Sequence, residues 1–382
     1  MRFICILRTA LLLALFATHA QSEPYVPDNE AVVLERLPAG NATRQLDPLR
    51  RKLKDEPRDV LSAMQLAQGY LQIGRETSDP RFVSYAQATL SPWMQRDNPP
   101  AAVLVLSATA LQSSHRFEEA LTLLDRALAI DSRNAQAWLT KATLLQVRGD
   151  FPAARAACQR LLQTADQLIA LTCISSVDSL NGQLEPSYRA LARVSSAFNG
   201  ADAGLQSWVL GQLAEMAVRL RDFAAAEKYL RAALRASPED AWLKGAHADL
   251  LLLESRDAEV IDLLAGSESQ DILLLRLAIA GKRLGAANAS RWAQMFDARR
   301  RAARRDDSSH LREHARFLLE VRNAPAEALQ VARENWRVQR EPADVRVYLQ
   351  SALRAREPQA AAAVSEWIRE TGYEDRTLQE SL

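Results

Sequence analysis

Apolar and small residues recur along this chain at a fixed interval. Phe117 and Phe151 stand 34 residues apart, as do Ala120 and Ala154, and Leu124 and Cys158 keep the same offset. Another copy lies at Asp222-Phe223-Ala224-Ala225-Ala226, followed by Leu230, Ala233 and Pro238. Twelve residues before the alanines at 120, 154 and 226 come Ala108, Ala142 and Ala214. Self-similarity of this length marks an array of supersecondary units, each unable to bury its own apolar face until it stacks on a neighbour. The other strong apolar pattern is at the start. Arg2 and Arg8 precede the run Ala10 to Ala17, and Thr18-His19-Ala20 follows it, which reads as a secretory signal peptide over 1–20.

The 34-residue spacing resembles the tetratricopeptide repeat. In that family small residues at repeat positions 8 and 20 let two antiparallel helices approach, an aromatic at 17 and an apolar residue at 24 fill the hairpin, and proline near 32 stops the second helix. Trp138 matches the family's aromatic position 4, and Gly149-Asp150 the expected turn. The match is specific over 101–240 and looser from 58 to 371. It implies an all-α fold, a right-handed superhelical solenoid of nine antiparallel helix pairs. These run over 58–92, 101–134, 135–167, 168–201, 207–240, 241–266, 271–305, 309–340 and 343–371. The first pair carries an insertion, Arg75 to Arg81, and the sixth a shortened second helix ending near Gly266. Residues 21–57 are expected to be mostly extended, with one turn near Glu30 to Arg36 and a capping helix from Asp47 to Asp55, Asp47 as N-cap and Pro48 at the first helical position. Residues 372–382 form a tail.

The apolar run at 10–17 falls well short of the roughly 20 residues that span a bilayer. No later stretch is longer, so no integral membrane segment is expected after cleavage, and the protein is expected in the periplasm of a Gram-negative bacterium or secreted. No cysteine follows the cleavage region to carry a lipid. Losing Arg2 and Arg8 takes the 48 Lys plus Arg to 46, against 47 Asp plus Glu. A balance so close to neutral calls for neither nucleic acid nor an anionic membrane. Arginine so outnumbers lysine that a single arginine cluster carries little information.

Five constellations carry candidate chemistry. Cys158 and Cys173 fall on facing helices at similar distances from the turn between them; in an oxidising compartment they pair, or else they fill helix contacts as free thiols. Trp208 and Trp242 occupy matching repeat positions, and so do Glu215 and Asp249, with Arg219 one turn after Glu215. The resemblance places these residues on the concave groove as a partner-binding patch; the alternative has both tryptophans packing on the preceding hairpin. Gln136, Thr143, Gln146, Thr172, Ser176 and Ser179 extend that face as an uncharged stretch suited to peptide backbone. His310-Leu311-Arg312-Glu313-His314 fits H-x-x-E-H, a zinc-binding pattern in which Glu313 would activate water. The cluster Arg299, Arg300, Arg301, Arg304 and Arg305 ends a helix and meets Asp306 and Asp307, a self-neutralised helix end or an anion site.

No glycine-rich phosphate loop, G-x-S-x-G or C-x-x-C appears, and no cofactor is implied. The lysine and asparagine pattern by which some relatives clamp a C-terminal carboxylate is absent. The sequence therefore points to a scaffold or adaptor holding a peptide segment or partner protein in its groove, in envelope assembly, export or metalloprotein maturation. The rival readings are a zinc hydrolase at His310, Glu313 and His314, and a solenoid that contacts its own copy. Asn335-Trp336 to Arg340-Glu341-Pro342, with Tyr25 to Pro38, also resembles a group of exported bacterial repeat proteins.

Overall fold

The computed structural model describes residues 41–77, 79–197, 202–302 and 310–378. The signal peptide, the turn near Glu30 to Arg36, and Arg304 and Arg305 lie outside them. One helical turn, α1 (Asn41–Arg44), precedes α2 (Asp47–Asp55). The N-cap of α2 is Leu46 rather than Asp47, which sits inside the first turn and binds Arg50 at 2.7 Å.

Helix pairs then follow in order among the described residues. The first four are α3 (Val60–Thr77) with α4 (Arg81–Met94), α5 (Ala101–Ser113) with α6 (Phe117–Ile130), α7 (Ala135–Val147) with α8 (Phe151–Leu161), and α9 (Gln167–Ser179) with α10 (Leu184–Ala197). The next three are α11 (Ala203–Arg219) with α12 (Phe223–Ala236), α13 (Ala241–Leu253) with the short α14 (Asp257–Leu263), and α15 (Asp271–Leu284) with α16 (Ala289–Ala302). In the eighth, α17 (Leu311–Arg316) continues into a π-helical turn, Phe317–Val321, before α18 (Pro325–Val338); the ninth is α19 (Pro342–Arg354) with α20 (Pro358–Thr371). A 3-10 turn, Arg376–Leu378, follows.

The local reasons for these hairpins repeat. Side chains of Asn134, Asp150, Asp202, Asp222 and Asp240 accept from backbone N–H groups two or three residues on, capping α7, α8, α11, α12 and α13. Within most pairs the chain reverses through one residue in the left-handed region: His115, Gly149, Gly182, Arg221, Ser255, Gly285, Asn323 and Arg356. Except after Asn323, the next N–H then bonds back five residues, as Arg116 does to Leu111 and Asp150 to Leu145, both at 2.9 Å. Only Gly149, Gly182 and Gly285 among these turn residues are glycine, so the reversal is not legible from glycine alone. Ala108 with Ala120, Ala142 with Ala154, and Ala214 with Ala226 are all buried where helices of a pair meet.

The solenoid winds far enough to touch itself. The α7–α8 turn receives Arg340, whose N–H donates to the Val147 carbonyl at 2.7 Å. Phe151 lies 6.0 Å from Trp367 of α20. The α9–α10 turn meets the end of α20, where a Cβ on Gly372 would stand 3.3 Å from the Gly182 Cα; both glycines also have positive φ, so two backbones approach where side chains do not fit. One apolar core consequently joins the second to fourth pairs with the eighth and ninth. The structure is an all-α solenoid whose successive turns are in contact.

Candidate partner-binding surface

First helices of the third to fifth pairs line the inner face with neutral groups. The Ser176 hydroxyl sits between two amides, 3.2 Å from Gln146 Oε1 and 2.6 Å from Gln212 Oε1, so α7, α9 and α11 share one polar line. Thr172 is fully buried and donates to its own helix at the Leu168 carbonyl, whereas Gln136 is exposed at the start of α7.

Beyond that line the face is charged and self-paired. Arg219 is fully buried: its guanidinium donates to both Glu215 oxygens, to the Ser179 carbonyl and hydroxyl at 2.7 Å each, and to the Glu374 carbonyl at 3.3 Å. It also lies 5.7 Å over the Tyr373 ring. Asp249 accepts from Arg276 at 2.6 Å and from Arg316 of α17. Its burial would raise its pKa, but these two guanidinium groups hold it well below the usual carboxylate range. Arg316 continues to Glu320 at 2.6 Å and Glu320 to Arg283 at 2.8 Å.

The expected patch is therefore divided. Glu215 and Arg219 bind each other, Asp249 binds Arg276 and Arg316, and Arg219 is occupied here by the chain's own tail. Trp242 is 49% exposed and rests against the preceding hairpin, where Gly211 leaves room for its ring. Trp208 is half-buried against the core shared by the two ends of the solenoid. Arg276, Arg316, Arg346, Tyr373 and Asp375 complete the charged region and carry no repeat-position signal; Arg276 reaches Asp249 from the next pair, whereas Tyr373 and Glu374 reach Arg219 because the chain's end winds back over the middle pairs.

The H-x-x-E-H residues do not converge. Glu313 is buried, and although burial opposes it, Arg312 and then Arg276 hold its pKa down to about 2. Burial lowers the His314 pKa, and the neighbouring Arg300 lowers it further. Among the described residues no three His, Cys, Asp or Glu side chains are grouped to hold a metal ion. A carboxylate committed to guanidinium groups is not placed to activate water, so this arrangement lends the zinc reading of His310, Glu313 and His314 no support. Of the arginine cluster, Arg299 binds Asp271 at 2.8 Å and Arg301 lies 3.4 Å from Asp297. Cys158 and Cys173 are joined as a disulfide, with Cα atoms 5.5 Å apart, between α8 and α9. No helix among the described residues is long and apolar enough to cross a membrane.

Residues 111–171 match the tetratricopeptide repeat family. None of the curated proteins is similar to the chain in sequence. Among solved structures, the human IFIT1 dimer with PPP-AAAA is similar at 12% identity and a TM-score of 0.48, covering 86% of each chain. The P58(IPK) TPR domain is similar at 14% identity and a TM-score of 0.25, covering 83% of this chain and 96% of that one.

Proposed function

Taking the chain as the tetratricopeptide-repeat protein indicated by its matched segment and its stacked helix pairs, we propose that it is a periplasmic scaffold. It holds an extended segment of a partner protein on the inner face of the third to fifth pairs, in envelope assembly, export or metalloprotein maturation. Repeats of this family serve protein–protein interaction. The observation that carries the reading is a contact the chain makes with itself. Next to the neutral line of Gln146, Ser176 and Gln212, the stretch after α20 lies against α11, and Arg219 donates to its main-chain carbonyl at Glu374. A surface that grips main-chain groups through side-chain donors suits extended polypeptide. The Cys158–Cys173 bridge supports the exported location, because structural disulfides persist in oxidising compartments.

A photo-crosslinking residue at Gln136, exposed on the inner face, is compared in intact cells with the same residue at Ile130, 60% exposed at the end of α6. One dominant protein joined from Gln136 and not from Ile130 is the expected result. The same proteins captured from both positions, or none from either, would end the scaffold reading.

A further inference from the structure

We infer that Gly372–Leu378 is a ligand held in cis, and that the partner segment displacing it carries an aromatic residue, a carboxylate two positions later and an aliphatic residue five positions later. The inference rests on the scaffold reading above and gives it a recognition pattern. The seated stretch supplies that pattern directly. Tyr373 is buried beneath the Arg219 guanidinium, and its hydroxyl donates to Asp375 at 3.1 Å. Asp375 accepts from Arg346 of α19 at 2.7 Å, and Leu378 is 2% exposed. Two further contacts fix the path: the Leu184 N–H donates to the Glu374 carboxylate at 3.2 Å, and Arg376 donates to Glu185 at 2.9 Å.

The polar side of the receiving surface is complete without the stretch, while the apolar side, where Tyr373 packs 5.6 Å from the Trp367 ring and Leu378 joins the same core, is what the aromatic and aliphatic residues of the displacing segment cover again. Arg219 keeps both Glu215 oxygens and both Ser179 groups when the Glu374 carbonyl leaves, and Glu185 keeps Arg189. Arg346, with a side chain already 26% exposed, turns to water rather than becoming a stranded buried charge. The stretch itself holds one 3-10 turn and leaves α20 through Gly372 at φ 68°, the left-handed cap that ends the helix. Its exchange for a trans segment of like chemistry leaves the helix pairs intact.

The test uses the full chain and a fluorescent synthetic peptide of residues 371–380. Tyr373→Ala/Asp375→Ala weakens the cis contact, and this variant is expected to bind the peptide at least tenfold more tightly than wild type. Adding Arg346→Gln should reverse that gain, and a peptide carrying the two alanines should not bind. A variant of native helicity and melting that binds no better than wild type overturns the inference and makes the stretch a fixed cap. Should the variant unfold, hydrogen exchange in wild type decides. Amides of 374–378 opening well before those of α20 support displacement, whereas opening together with α20 refutes it. Crosslinking from Gln136 separates the two readings: a partner captured equally by wild type and variant keeps the scaffold and removes the cis ligand.

Discussion

Reducing the Cys158–Cys173 bridge gives the most direct physical test of this fold. The bridge joins α8 to α9 across a separation of 15 residues. In the chain-entropy treatment, closing a loop of that length removes about 3 kcal/mol of freedom from the opened state. Both cysteines are buried, so replacing them with alanine would mix the lost crosslink with lost packing. Reduced wild type keeps both sulfur atoms and isolates the crosslink. A repeat array opens in pieces, so the appropriate readout is local. Hydrogen exchange is followed by mass spectrometry over α8 and α9, with α3 and α4 as the internal control. Exchange over α8 and α9 should quicken on the order of a hundredfold on reduction, at tenfold for each 1.4 kcal/mol or so, while α3 and α4 hold their rates. A change below about threefold, or one spread evenly along the chain, would refute the reasoning. So would the uptake of two alkyl groups by the folded protein without reductant.

Two further predictions follow from buried groups. Asp344 is pushed up to about 6, chiefly by burial and with Glu341 adding to it, against the opposing pull of Arg312. Its folded-state pKa lies above its unfolded value of 3.8, so the cost of ionising it is absent below that value and full above about 6. Wild type should therefore gain stability relative to Asp344→Asn as pH falls from 7 to 4; a difference in urea midpoint that ignores pH would contradict the burial of this carboxyl. Among helical glycines, Gly281→Ala places a Cβ 2.9 Å from the buried Trp292 ring and 3.3 Å from the Ala289 backbone. A destabilisation of about 1–3 kcal/mol is expected despite alanine's helix propensity. Gly211→Ala presses closely on the half-exposed Trp242 ring alone, which swings aside, and meets Leu243 at an ordinary 3.5 Å, so its stability should stay within about 0.5 kcal/mol of wild type by thermal melt. Equal effects at the two glycines would show that neither close approach matters.

Period and residue type determined the architecture. The repeated Ala108 and Ala120, Phe117 and Phe151 specify helix pairs because small residues permit close approach and aromatics fill the hairpin, and these are interactions between neighbours in sequence. Asn335-Trp336 to Pro342 stood out as a string for a physical reason visible only in the folded chain. The Asn335 and Gln339 amides donate to Asp344, while Trp336 packs edge-on to Tyr348 and Trp367. Repeat position assigned Glu215, Arg219 and Asp249 to one face but gave no sign that Tyr373 and Glu374 would meet Arg219 or that Arg316 would meet Asp249. Those contacts depend on how far each pair rotates on the last, a small angle accumulated over several pairs. No residue pattern within one repeat encodes that sum, so it was the winding of the solenoid that turned a presumed open groove into a surface the chain partly fills itself.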